Sequence, residues 1–192
     1  MRLRRNRKPS MIVGITGTIG AGKGSVVDYL IQKRGFKHIS ARSIWTAELK
    51  KRNLPIDRDH MTVLANQLRA EHGPAYFVEQ ALQSCDGQLS CVIESIRTVA
   101  EAELLKKQGG VLLAVDAERA VRYERIHARG SSLDQVSFAD FVRQEETEMQ
   151  NADPNKQNIL AVMNLADHTI SNVNTLESLH EQVDNFLKKY HD

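Results

Sequence analysis

The sequence predicts a three-layer α/β fold on a parallel sheet, and three observations predict it. Short apolar runs alternate with longer stretches of helical periodicity along the chain, the order that gives parallel strands covered by helices on both faces. Runs such as Met11-Ile12-Val13-Gly14-Ile15 and Cys91-Val92-Ile93 are continuously apolar, as strands buried on both faces must be. Between the first run and the first helical stretch lies Gly17-Thr18-Ile19-Gly20-Ala21-Gly22-Lys23-Gly24-Ser25. Strand, glycine loop, lysine and helix follow in the order a phosphate-binding loop requires.

The elements are justified in turn. Residues 1–10 form a flexible basic tail ahead of a domain spanning 11–192. Met11–Thr16 is the first strand, and Lys23–Lys33 a helix with Val26, Val27, Leu30 and Ile31 on one face, closed by Gly35 as a left-handed cap. Phe36–Ser40 is a short strand. Ala41–Lys51 is a helix with Ile44, Trp45 and Leu49 apolar. Asn53–Asp59, with Pro55, is a turn. Met61–His72 is a helix with Val63, Leu64, Ala65 and Leu68 inward, broken by Gly73-Pro74. Ala75–Gln83 is helical, and Ser90–Glu94 is a strand buried up to its acidic end. Val99–Lys107, the strand Val111–Val115 and the helix Glu118–Arg129 follow. Gly130-Ser131-Ser132 breaks the chain before a helix capped by Ser137 that runs to Met149. After Asn151–Pro154 come the helix Lys156–Leu165, the strand His168–Ser171, and a last helix, Thr175–Tyr190. In that last helix Leu176, Leu179, Val183, Phe186 and Leu187 recur at helical spacing. This makes five strands. Ligands in such folds sit at the carboxyl ends of the strands, where the glycine loop and Glu94 both lie.

The loop residues carry a specific chemistry. Backbone N–H groups must converge on phosphate oxygens, and glycine removes side chains that would block the approach. The following helix adds unpaired N–H groups and the positive end of its dipole. Lys23 supplies a point charge for the terminal phosphates. The hydroxyl that usually follows the lysine is displaced by one position, since Gly24 precedes Ser25. Lys23 is expected to be exposed in a cleft with no partner in the core.

Composition narrows the class. A chain of 192 residues, 41% hydrophobic and 26% charged, fits one globular domain with a proper core. No apolar run reaches transmembrane length, and no secretory signal is expected. Cys85 and Cys91 read as reduced thiols of a cytoplasmic protein. The net charge is +2, and taking away Arg2, Arg4, Arg5, Arg7 and Lys8 leaves −3 for the body. The basic balance therefore belongs to the tail, which reads as a disordered extension rather than a nucleic-acid contact.

The stretches GITGTIGAGKGSVV, VIESIRTVAEAELL, LLAVDAERAVRYERIHARG and ADHTISNVNTLESLHEQV resemble the P-loop nucleotide kinases, most closely adenylate-kinase-like and dephospho-CoA-kinase-like proteins. The resemblance covers nearly the whole chain after residue 10. It implies the P-loop kinase fold with a helical lid, here about residues 130–154, and it implies ATP and Mg²⁺ as cofactors. The loop from Gly17 to Ser25 then holds the nucleotide, and Ser25 helps place Mg²⁺. Glu94 matches an acidic residue that holds Mg²⁺ through water or orients the acceptor. Arg97 matches an arginine on the acceptor phosphate. Arg125 and Arg129 match arginines that fold onto the transferring phosphates, with Arg122 on the same helix face and Arg143 a further candidate within the lid; a solvated charge stripe is the other reading. Asn172 matches the loop beside adenine.

The match breaks after the second strand. Dephospho-CoA kinases carry an aspartate there as base, whereas this chain has Ser40, Ala41, Arg42 and Ser43. A hydroxyl acceptor benefits from a positioned base, while a phosphate acceptor needs cations, which Arg42, Arg69 and Arg97 supply. The expectation is a cytoplasmic kinase of the nucleoside or deoxynucleoside monophosphate type, acting on a small nucleotide-like acceptor. Dephospho-CoA kinase and a regulatory nucleotide-binding module without turnover stand as alternatives. The lid is expected to bury little apolar area.

Overall fold

The middle strand of the sheet is β1 (Ile12–Gly17), whose last five residues are all buried. It is flanked by β3 (Cys91–Glu94) and β4 (Val111–Asp116), with β2 (Lys37–Ser40) and β5 (His168–Ser171) at the edges, in the order β2-β3-β1-β4-β5. Every pairing is parallel. The computed structural model describes residues 10–85, 89–130 and 136–190. The basic residues Arg2 to Lys8 and the break Ser131-Ser132 lie outside the described residues.

Alternation of side chains along the strands splits the core between the two faces. On one face Val13, Ile15, Leu113 and Val115 pack against Val26, Val27 and Leu30 of α1 (Lys23–Arg34) and against Leu179, Val183 and Phe186 of α9 (Leu176–Tyr190). On the other, Ile39, Ile93 and Leu112 pack against α2 (Ala41–Lys51), α3 (Arg58–His72), α4 (Tyr76–Gln83), α5 (Val99–Lys107) and α8 (Ile159–Asn164). The remaining helices are α6 (Arg119–Ala128) and α7 (Phe138–Met149).

Local chemistry sets the helix boundaries. Asp57 accepts from the His60 N–H and starts α3 at Arg58, three residues ahead of the expected start. Asn158 caps α8 in the same way, so that helix is shorter than predicted. Thr98 and Glu101 form a reciprocal capping box at the start of α5. Gly35 closes α1 with φ 70°, its N–H on the Ile31 carbonyl. Two inward assignments are corrected. Val63 is 66% exposed, because the 100° step from Leu64 carries it off the buried arc. Leu176 is 52% exposed, since it opens α9 with no preceding turn to pack on.

The segment 136–154 also departs from expectation. Phe141 of α7 is fully buried, 5.6 Å from the Tyr123 ring, with the Arg122 guanidinium 5.8 Å above it. Glu145, three per cent exposed, pairs with Arg119 and Arg122 of α6. The helix is thus docked by an aromatic anchor and a buried ionic cluster rather than lying loosely on the surface.

Candidate active site

Because β1 lies between β3 and β4, the loop that leaves it is flanked by Glu94 on one side and Asp116 on the other. The loop's shape depends on its glycines. Gly17 has φ +136°, and a Cβ there would stand 2.0 Å from the Val115 carbonyl oxygen. Gly22, at φ +96°, caps α1 without any side chain, so no capping side chain covers the N–H groups at the start of the helix. Thr18 donates from its hydroxyl to Asp116 Oδ1 at 2.8 Å. Arg122, five per cent exposed, donates to the Ala117 and Ile19 carbonyls and tethers the loop from β4's side. Asn172 donates from Nδ2 to the Ala21 carbonyl at 2.8 Å. Its amide is thus committed to the glycine loop, whereas the sequence resemblance placed Asn172 beside adenine.

Lys23 is half-buried, and its ammonium donates to the Gly17 and Thr18 carbonyls at 2.9 and 2.7 Å. This corrects the expectation of an exposed lysine without partners. Loss of hydration lowers its pKa to about 7, helped by the Arg97 guanidinium and opposed by Glu94 and Glu148. The group is therefore close to losing its charge near neutral pH and gains most from a polyanion.

Beside the loop opens a cleft of about 420 Å³. Ala41, Trp45, Met61 and Ala65 form its apolar wall, and Arg42, Arg69, Arg97 and Arg129 supply its cations. Ile19 of the glycine loop lines the same space. The structure brings together all three arginines assigned to the acceptor, and Arg129 joins them. Arg69 has a second duty, since its Nε donates to Glu101 Oε1 at 3.1 Å in a pair that is three per cent and zero per cent exposed. Arg97 donates from Nη1 to Glu148 and Gln157. On α6, Arg125 holds a buried Nη1 with no hydrogen-bond partner among the described residues, a donor left for an incoming acceptor. Arg143 stands apart, 77% exposed and paired with Asp140.

Glu94 ends β3, and its carboxylate meets His38 Nε2 at 3.0 Å. The next residue, Ser95, has φ 78° and lines the cleft, a strained turn of the sort that collects at functional sites. Ser25 lies in the first turn of α1. Hydroxyl and carboxylate oxygens are the donors Mg²⁺ takes, and it keeps waters and substrate phosphates for the rest, so Ser25 and Glu94 suit that ion. Among the described residues no group of three His, Cys, Asp or Glu forms a metal cage, and no helix is long and apolar enough to cross a membrane.

Sequence reasoning missed His38, Ser95, Asp116, Glu148 and Gln157, and it read Trp45 only as core. The pattern β1–loop–α1 carried no signal for them, because each reaches the site through topology.

A family model described as an AAA domain matches residues 13–169. The chain is 28% identical over 179 residues to the UPF0200 protein of Pyrobaculum aerophilum, covering 92% of this chain and 96% of that one. It is 27% identical to a UPF0200 protein of Methanocaldococcus jannaschii, covering 93% and 90%. Among solved structures, TT1252 from Thermus thermophilus superposes with TM-score 0.60 at 21% identity over 95% of this chain and 98% of that one. Shikimate kinase from Acinetobacter baumannii in complex with shikimate gives 0.58 at 13%, covering 94% and 92%. The fold is that of the P-loop kinases.

Proposed function

The chain belongs to the AAA-domain family, and from that premise we propose that it transfers the γ-phosphoryl of ATP, with Mg²⁺, to a nucleotide-like acceptor carrying a phosphate. The observation that supports this best is the cleft beside the glycine loop, where Arg42, Arg69, Arg97 and Arg129 face one space with Trp45 and Met61. An aromatic and aliphatic wall suits a flat base, and guanidinium forks suit a phosphate already ionised at neutral pH.

In this reading each group of the site takes a role. The amides of the loop and the start of α1 cradle the β- and γ-phosphates. Lys23 leaves the Gly17 and Thr18 carbonyls for the nucleotide and recovers its full charge there. Arg125 and Arg129 neutralise charge on the transferring group, and the acceptor is held by Arg42, Arg69 and Arg97. Mg²⁺, when bound, shields phosphate charge, and Ser25 and Glu94 are the side chains that would hold it. A second reading is favoured by the Glu94–His38 contact. There the acceptor is a hydroxyl, as in dephospho-CoA, and Glu94 takes its proton.

The test measures ATP consumption with ribo- and deoxyribonucleoside monophosphates, with dephospho-CoA, and with no acceptor. Transfer to a monophosphate is expected, with the acceptor KM rising about tenfold in Arg97→Lys while that of ATP stays put, because lysine keeps charge but loses the fork. Faster transfer to dephospho-CoA selects the hydroxyl reading. Absence of turnover with every acceptor, despite ATP binding, rejects both.

A further inference from the structure

Of the described residues that line the cleft, Ser95 alone has a left-handed backbone, with φ 78° directly after the end of β3. A Cβ in that region crowds the following carbonyl oxygen. Among the described residues the chain otherwise meets a positive φ with glycine, or at Asn53 with asparagine, which tolerates it. The turn has a structural purpose. The Ser95 and Ile96 N–H groups both donate to the Ile15 carbonyl at 3.0 Å, and Ile96 is fully buried. That purpose asks for no hydroxyl, and glycine would serve it without strain. Yet a serine stands there, half-buried against the cleft, and its hydroxyl makes no hydrogen bond among the described residues.

We propose that the Ser95 hydroxyl is a binding contact for the acceptor, donating to the phosphate that Arg97 holds. This rests on reading the cleft as the acceptor site. Three features support the contact at that end of the cleft. Arg97 lies two residues on, its backbone fixed by its own N–H on Glu101 Oε2 at 2.7 Å and by the Asn158 N–H on its carbonyl at 2.9 Å. Ile19 of the glycine loop lines the same space, and the Ile15 carbonyl that anchors Ser95 belongs to the strand feeding that loop. The charges of Glu94 and Arg97 both act on the Lys23 ammonium, so the residues on either side of Ser95 stand about the transfer centre rather than about the apolar wall of Trp45 and Met61. A hydroxyl donating to an ionised oxygen makes one of the stronger hydrogen bonds, which offsets a standing backbone strain of the kind that collects at ligand sites. The contact survives transfer, because an ionised oxygen remains on that phosphate in the product.

The experiment fills the donor site with a saturating non-hydrolysable ATP analogue and titrates adenosine, guanosine, cytidine and uridine monophosphates calorimetrically. The proteins are wild type, Ser95→Gly, Ser95→Ala and Asn53→Gly, each also melted without ligand. Ser95→Gly removes hydroxyl and strain together, whereas Ser95→Ala removes the hydroxyl and keeps the strain. For the monophosphate that binds wild type best, both are expected to lose affinity about tenfold, with affinity for the ATP analogue unchanged. Ser95→Gly is expected to melt about 2–4 °C above wild type, so its loss of binding cannot come from a damaged fold. Asn53→Gly changes the other positive-φ residue that bears a side chain, outside the cleft lining, and should leave monophosphate affinity alone. Affinity within about twofold of wild type in both Ser95 variants, or a loss in only one of them, overturns the contact while leaving the acceptor site standing. A Ser95→Gly protein that melts no higher than wild type shows that the serine carries no strain, and overturns the proposal as well. If no monophosphate binds the donor-filled wild type, the acceptor reading fails and this inference with it.

Discussion

Binding of ATP should draw a proton onto Lys23. In the free protein burial lowers the lysine pKa to about 7, while an ammonium paired with phosphate keeps a pKa near or above the ordinary ~10.4. At pH 7 about half of the free protein carries an uncharged Lys23, and at pH 8 about nine-tenths does, so uptake on binding approaches ~0.5 and ~0.9 protons. The sign is fixed: a group whose pKa rises on binding takes up protons, and ATP affinity weakens as pH climbs from about 7 towards 10. The pH 8 measurement is the cleaner one, because the terminal phosphate of free ATP is fully ionised there. Calorimetry in three buffers of different ionisation enthalpy reads the uptake directly. Lys23→Arg stays charged throughout and should show almost none. Uptake below about 0.1 proton in wild type at pH 8, or equal uptake in Lys23→Arg, refutes the reasoning.

Three further outcomes follow from the same geometry. Arg69→Ala leaves the fully buried Glu101 without its counter-charge, a loss of about 3–5 kcal/mol; at roughly 2–4 °C per kcal/mol the calorimetric Tm should fall by about 6–20 °C, and a fall under ~2 °C means the pair is not holding the wall. Gly22→Ala places a Cβ 2.1 Å from Asn172 Nδ2 at φ +96° and should weaken ATP binding at least about tenfold, whereas Gly24→Ala meets open space and should stabilise α1 by about 0.5–1 kcal/mol with ATP affinity intact; the reverse ranking in paired titration and melting experiments contradicts the loop geometry. Amides of 138–149 should gain hydrogen-exchange protection when a bisubstrate analogue fills both sites, and equal protection with and without it counts against a lid.

The strands and most helices were legible because periodicity and capping are local properties. Trp45 and Leu49 share a face, Ser137 stands directly ahead of α7, and Gly35 follows the last turn of α1, each signal lying within a few residues of the element it sets. The site was legible where it hangs on a strand end, as at the glycine loop, Glu94 and Arg97. It was illegible where it closes across the sheet. Thr18 reaches Asp116 over a separation of 98 residues, and that meeting follows only once β4 is known to lie beside β1. Arg69 reads in sequence only as a cation for the acceptor, and its buried counter-ion Glu101, 32 residues further on, comes to light only in the fold. The docking of α7 was misjudged because the aromatic anchor Phe141 is surrounded in sequence by charges, and only the fold shows that one of them, Glu145, is buried against Arg119 and Arg122 of α6.

Glu101 bears on how such a protein can change what it accepts. One buried carboxylate holds the Arg69 side chain, the Arg97 and Thr98 N–H groups and the start of α5, so this wall cannot drift toward a new ligand without endangering the fold. Two other lining residues carry no such burden: Arg42 stands exposed in the first turn of α2, and Met61 is only partly covered. Evolvability is therefore lopsided. A library randomised at Arg42 and Met61 should return folded proteins with altered acceptor preference, while one randomised at Arg69 and Glu101 should return mostly insoluble chains, and divergent relatives should have explored the first pair more freely than the second.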